Sequence, residues 1–387
     1  MHRIAQSPTD PAFVQDPYRF YARARAAGDL VYWDDYGMVV ACSHAAVGQL
    51  LKDRRFGREP LQPLDVPDRL APFYAVEAHS MLELEPPRHT RLRGLVMRAF
   101  TSRRIGALAP QIEALCDGLI ASFPKGSFDL LTAYAQPIPV ITIARLLGVP
   151  EDRADDLLAW SNAMVKMYVA GRSRAQEDAA IAATESFVDF LRHYVDERRS
   201  SPRDDLISEL IAAEEAGEKL STDELITTCI LLLNAGHEAT VHTIGNGVKL
   251  MLETGLRGAT DPARLVEEIL RFDPPLHLFT RWAYEDITLF GHRFARGDQV
   301  GLLLASAGRD GALFPEPDVF DPSRAGAAHH AFGAGLHFCV GAPLARLELQ
   351  IAFTRLFLKC PNLRLAATPT YSDIYHFHGL DRLMVTV

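Results

Sequence analysis

One stretch constrains the fold more than any other: "STDELITTCILLLNAGHEATVHTIGNGVKLMLE", residues 221 to 253. Ser221 or Thr222 offers an N-cap, and apolar residues then recur at helical spacing. From Leu225 to Leu252 there are 28 residues, roughly 42 Å of helix at ~1.5 Å per residue. A helix of that length crosses a whole domain. It is apolar nearly all round, so it belongs in the interior. Its middle reads Ala235-Gly236-His237-Glu238. Glycine costs roughly 1 kcal/mol against alanine in a helix interior, and a buried carboxylate needs a partner. Two readings fit. Either something lies against this weak centre, or Gly236 serves close helix packing and Glu238 sits in a salt bridge.

The rest of the chain suits a core of helices. The helical period covers 107–122, 151–170, 175–198, 203–216, 262–272 and 342–359. "DLVYWDDYGMVVAC" (29–42) alternates around a turn and reads as a hairpin, and "ITLFGHRFARGDQVGLLLAS" (287–306) looks similar. No repeat or linker stands out. The expectation is one continuous domain over residues 1–387, mainly α (α+β), with small antiparallel sheets.

A net charge of −9 argues against a nucleic-acid partner. No run approaches the roughly 18 apolar residues of a membrane helix, and the N-terminus lacks an apolar signal core. A cytoplasmic protein is expected. Cys42, Cys116, Cys229, Cys339 and Cys360 lie far apart, as reduced thiols rather than a disulfide framework. Four of them sit in apolar patterns and read as small buried hydrophobes.

Cys339 differs. It lies in "AFGAGLHFCVGAPLAR", residues 331–346, between glycines and just before a helix that opens at Pro343. Three readings compete. His329, His330, His337 and Cys339 are zinc-ligand types, but their spacing fits none of the usual paired patterns. A nucleophilic thiol would gain from the helix start, yet leaves the glycines unexplained. An iron ligand under a flat macrocycle accounts for more. Gly333, Gly335 and Gly341 leave room for the ring, and N–H groups at the helix start favour the sulfur anion.

The stretch resembles the haem-binding signature of the cytochrome P450 family, FGxGxHxCxGxxLAR. The matching residues are Phe332, Gly333, Gly335, His337, Cys339, Gly341, Leu344, Ala345 and Arg346. "EEILR" carries the family's ExxR pair at Glu268 and Arg271, and "EPPRHTRLR", "FPEPDVFDPSR" and "AGHEAT" resemble further family segments. The resemblance spans nearly the whole chain and is closest to soluble bacterial members. It implies the triangular, helix-rich fold with non-covalent haem b.

The resemblance also implies roles. Cys339 is the proximal iron ligand, with Phe332 shielding the sulfur and Ala235 beside the ring. His89, Arg93, Arg281 and His337 bind the haem propionates. Glu268, Arg271 and Arg324 form a structural ion network. Gly236, Glu238, Ala239 and Thr240 form the oxygen groove. Here the sequence departs from the family pattern, an acid followed by threonine: Ala239 follows Glu238, and the hydroxyl comes one residue later at Thr240. One residue is about 100° around a helix, so Thr240 cannot take over that place. A substrate hydroxyl or an ordered water is expected to fill the gap, with Glu238 relaying protons.

The resemblance places the substrate pocket around Pro72, Phe73 and Tyr74, on the central helix near Leu232, Ala235 and Ala239, from Leu276 to Phe279, and at the turn near Phe377 and His378. His277 and His378 are its candidate polar handles. These residues suit a small to medium, mostly apolar substrate; terpenoid, steroid, fatty acyl, aromatic and polyketide classes all remain open. The chain holds no reductase region, so electrons are expected from an acidic ferredoxin with its NAD(P)H-dependent reductase. Arg88, Arg91, Arg93, Arg98, Arg103 and Arg104 would steer it. A monomeric monooxygenase using O2 is the leading reading. A peroxide-driven peroxygenase or isomerase on the same fold comes second, and a silent recruiting scaffold is a remote third.

Overall fold

The computed structural model describes residues 1–62, 65–168, 171–215, 220–258, 261–324 and 328–387. The central helix runs Thr222–Glu253. Ser221 is its cap: its hydroxyl accepts the Glu224 N–H, and its own N–H donates back to the Glu224 carboxylate. As its apolar girth requires, this helix is largely buried. It packs against the helices Pro137–Leu147, Ala154–Val165, Arg174–Ser200, Pro262–Phe272 and Ala342–Lys359.

The expected helices form within the described residues. The expectations over 151–170 and 203–216 run into residues outside the described ones. Within the described range Ala154–Val165 is helical, flanked by 3-10 turns, and Leu206–Glu215 is helical. Pro137–Leu147 went unread in the sequence. "PIPVITIARLL" is almost wholly apolar and rich in β-branched residues, so it shows no helical stripe. Its ends do carry signals: proline in the first turn and Gly148 in left-handed conformation just after. Eight of its residues are buried, because helices cover it on several sides.

The first hairpin forms as read, Leu30–Trp33 against Met38–Ala41. The second does not repeat it. Ile287–Leu289 and His292–Phe294 pair with each other, whereas Gln299–Leu303 leaves to join a larger sheet. That sheet has six strands, and it is mixed rather than purely antiparallel: Arg3–Ile4 lies parallel to Leu30–Trp33, and Met38–Ala41 parallel to Gln299–Leu303. Leu278–Ala283, the strand carrying Arg281, lies antiparallel to Gln299–Leu303. No helix among the described residues is long and apolar enough to cross a membrane.

Candidate functional site

The cysteine loop shapes itself through two left-handed glycines. Gly333 and Gly335 both have φ of 69°, and a Cβ on Gly335 would meet the Leu51 carbonyl at 2.6 Å. The Cys339 N–H then donates to the Phe332 carbonyl at 2.9 Å. These two glycines are required by the turn itself. Gly341 is different: it has ordinary helical backbone, and a Cβ there would rest 3.8 Å from the Cys339 sulfur. Cys339 is exposed and the other four cysteines are buried. Burial by surrounding protein still pushes its thiol up, while the N–H groups of Gly341 and Ala342 and the guanidinium of Arg93 pull it back. The Phe332 ring lies beneath the Arg346 guanidinium, 4.5 Å away.

Beside the loop the expected cations gather. Arg281 is 2% exposed. Its recorded hydrogen bond goes to the neighbouring Thr280 carbonyl at 2.8 Å, and it forms no ion pair among the described residues. Burial, then Arg58, drives it down to about 9. A buried guanidinium without an anion is a costly arrangement that an anionic ligand relieves. His89 is also buried, its Nδ1 has no partner, and its ring lies 4.4 Å from that of His337. Arg93 donates to the Phe338 carbonyl at 2.6 Å.

Two residues in this cluster went unread in the sequence. The Arg58 Nε is buried without a partner, and its guanidinium lies over the Phe279 ring. Glu85 sits 2.9 Å from His337 Nε2. His337 therefore has a protein carboxylate where the resemblance gives it a propionate alone. The "EPPRH" stretch held the signal for Glu85, an acid immediately before the helix that carries His89 and Arg93.

The ion network is present. Glu268 takes both Arg271 contacts at 2.7 Å, and Arg324 approaches it at 3.4 Å. Arg271 also donates to the carbonyls of Gly308 and Pro317. Next to it lies a second link that sequence reading missed. Glu267 receives Arg346 at 2.6 Å and His329 at 3.2 Å. Burial works against its charge, but those two partners bring it down to about 2. Glu267 thereby joins the helix Pro262–Phe272 to the helix that follows Cys339.

In the oxygen groove the Thr240 hydroxyl is spent on the Gly236 carbonyl at 3.2 Å, one turn back in the helix. Thr243 does the same to the Ala239 carbonyl at 2.7 Å. Gly236 answers the question of what lies against the weak centre: a Cβ there would come within 2.0 Å of Ile143. The glycine serves close packing with the helix Pro137–Leu147. His237 turns away to Asn162 and Ser161. Glu238 lies 3.6 Å from His242 Nε2, and its second oxygen is buried without a partner. Both side chains line a cavity of about 380 Å³ with Asn162, Lys166, Phe377 and Asp381.

The expected substrate residues divide. Leu276 bridges to Phe377, and Leu276 and Phe279 are half-buried. Leu232 and Phe73 are buried in the core, with Phe73 packed edge-on against Tyr74 and Tyr168. His277 and His378 are not handles in an open pocket. His277 is wholly buried and bonded to Tyr21, and His378 is buried beside Asp273. His277 lies just before the strand Leu278–Ala283 and packs inward against Tyr21 and His378.

A family model described as "Cytochrome P450" matches residues 263–363. The vitamin D(3) 25-hydroxylase of Pseudonocardia autotrophica is 38% identical, over 97% of this chain and 94% of its own length. The cytochrome P450 monooxygenase PikC of Streptomyces venezuelae is also 38% identical, over 92% of this chain and 87% of its own. Among solved structures, P450BioI in complex with a hexadec-9Z-enoic acid ligated acyl carrier protein has a TM-score of 0.91 at 32% identity, covering 97% of this chain and 99% of that one. A helix-rich core, a small mixed sheet and a glycine-bounded thiol beside buried cations thus mark a haem-thiolate enzyme. This chain belongs to the cytochrome P450 family and is a monooxygenase whose cofactor is haem b. The residues present fit that cofactor, because Cys339 offers a thiol ligand, Arg281 has no ion-pair partner among the described residues, and the buried His89 Nδ1 has no hydrogen-bond partner, needs that two propionates would meet.

Proposed function

We propose that this enzyme inserts one oxygen atom from O2 into a small to medium, mostly apolar molecule, by hydroxylation or epoxidation. The observation that carries this reading is the juxtaposition of the Cys339 loop with the buried Arg281, which has no ion-pair partner among the described residues, and with His89, whose buried Nδ1 lacks a hydrogen-bond partner. In this reading the haem, held by Cys339, supplies the activation of oxygen. Arg281, His89 and Arg93 hold the propionates, with Arg58 as a further cation. Leu232, Ala235 and Ala239 form an apolar wall, and Leu276, Phe279 and Phe377 face it across the substrate. Glu238 takes protons from the cavity it shares with His242. The vitamin D(3) 25-hydroxylase and the fatty-acyl complex among the relatives support an apolar substrate.

The protein works as one haem domain and as a cytoplasmic monomer, and takes its electrons from an acidic ferredoxin. Of the six arginines expected to steer that partner, Arg91 pairs with Glu224, Arg104 with Glu209, and Arg93 points inward. Arg88 and Arg103, both exposed, face the partner in this reading.

Turnover under labelled O2 with NAD(P)H, ferredoxin and its reductase tests the reading, after a binding screen that follows the iron spin state. One labelled oxygen atom per product is expected. Turnover by peroxide alone, with none from the electron chain, would replace this reading with a peroxygenase. In the same assay Ala239→Thr is expected to leave the coupling of O2 use to product unchanged, since a substrate hydroxyl or water already fills that place.

A further inference from the structure

Away from the cysteine loop, three good metal-binding side chains meet in the interior. Asp273 follows the helix Pro262–Phe272, His277 lies just before the strand of Arg281, and His378 lies in the C-terminal turn. One ligand atom from each lies within 4.8 Å of the others. Asp273, His277 and His378 are 2%, 0% and 2% exposed. The Nε2 atoms of both histidines are buried without a hydrogen-bond partner, a state that folded proteins seldom leave unexplained. His378 Nε2 is 3.5 Å from an Asp273 oxygen, too long for a good hydrogen bond.

The surroundings hold these groups in place. His277 Nδ1 is 2.8 Å from the Tyr21 hydroxyl, which is 2.8 Å from the Tyr375 hydroxyl. When Nδ1–H donates to Tyr21, Nε2 carries the lone pair. Such an outer partner is what orients a metal-binding histidine. The two Asp273 oxygens accept one hydrogen bond each, from Tyr18 at 2.6 Å and Tyr371 at 2.7 Å. The His378 ring is stacked on Tyr371, with centroids 3.8 Å apart. Both rings are buried, which disfavours their charged form. Neutral imidazole is the metal-binding form. A simple Asp273–His378 ion pair would need a protonated ring.

We propose that Asp273, His277 and His378 form a second metal site that takes one divalent transition-metal ion, best matched by Zn2+. Zinc bonds nitrogen and oxygen at about 2.0–2.2 Å, which puts neighbouring ligand atoms roughly 3.4 Å apart. The His378–Asp273 edge already measures 3.5 Å, and no edge exceeds 4.8 Å, so closing onto the ion takes at most about 1.4 Å of movement. The ion ties the C-terminal turn, which carries Phe377, to the end of the helix bearing Glu268 and Arg271. Its role is to hold that turn in place.

The haem-loaded enzyme, dialysed against Zn2+ and passed over a chelating resin, is assayed for zinc and iron together. One zinc per haem iron is expected, with a raised melting temperature. His277→Ala and His378→Ala should each weaken zinc binding at least 10-fold. Tyr21→Phe, which removes no ligand, should weaken it about 10-fold. An unchanged thiolate-haem spectrum shows that each variant folds. Should an alanine variant fail to load haem, the wild type and Tyr21→Phe decide. No 1:1 zinc in the wild type, or zinc binding that Tyr21→Phe leaves unaltered, would overturn the site.

Discussion

Arg281 shows how much one side chain can reveal. The motif context marks it as a propionate ligand, but only the structure shows it to be buried without an anion. Such a charge destabilises the haem-free protein and becomes favourable once an anion arrives. Arg281→Met is therefore expected to raise the melting temperature of the haem-free protein and to weaken haem retention at least 10-fold. Thermal scans of haem-free protein and haem transfer to apomyoglobin measure the two effects, which should have opposite signs. Thr240 carries the complementary lesson. A hydroxyl near the right place in sequence counts for little when it is bonded to the Gly236 carbonyl.

The central helix and the helix Pro137–Leu147 define each other through Gly236 and Ile143. Gly236→Ala puts a methyl group within 2.0 Å of the Ile143 Cδ1, an overpacking of about 1–3 kcal/mol that roughly 1 kcal/mol of helix propensity offsets only in part. Chemical denaturation should show that loss, and the further change Ile143→Val should recover part of it. Full additivity of the two would mean that the helices do not meet there. The central helix was legible because 28 residues of apolar, capped sequence allow few alternatives. Pro137–Leu147 was not, because an element buried on all sides loses its stripe. Gln299–Leu303 was misplaced for another reason: its partners, Met38–Ala41 and Leu278–Ala283, are non-local, and strand pairing leaves no local mark.

Across the whole molecule, ion pairs join the segments that hold the cysteine loop. Glu268 gathers Arg271 and Arg324, and Arg271 clasps the carbonyls of Gly308 and Pro317. Glu268→Ala leaves two guanidinium groups without their acid and is expected to cost about 3–5 kcal/mol. The loss should appear in urea denaturation together with loss of haem. A Glu268→Ala protein of native stability would show that the carbonyls alone hold Arg271.

The amino-acid sequence by itself determined the central helix, and through its resemblance to the P450 family it pointed to the haem cofactor, the ExxR pair and the departure at Ala239. Each of these is written in residues close together in the chain, where spacing alone sets geometry. The tertiary structure alone decided that Gly236 faces Ile143, that Glu85 holds His337, that Arg58 joins the cation cluster, and that His277 turns from the substrate region toward Asp273 and His378. Those outcomes depend on which distant segments meet and which side of a strand faces inward. Burial and pairing between remote residues set them, and no local pattern encodes either.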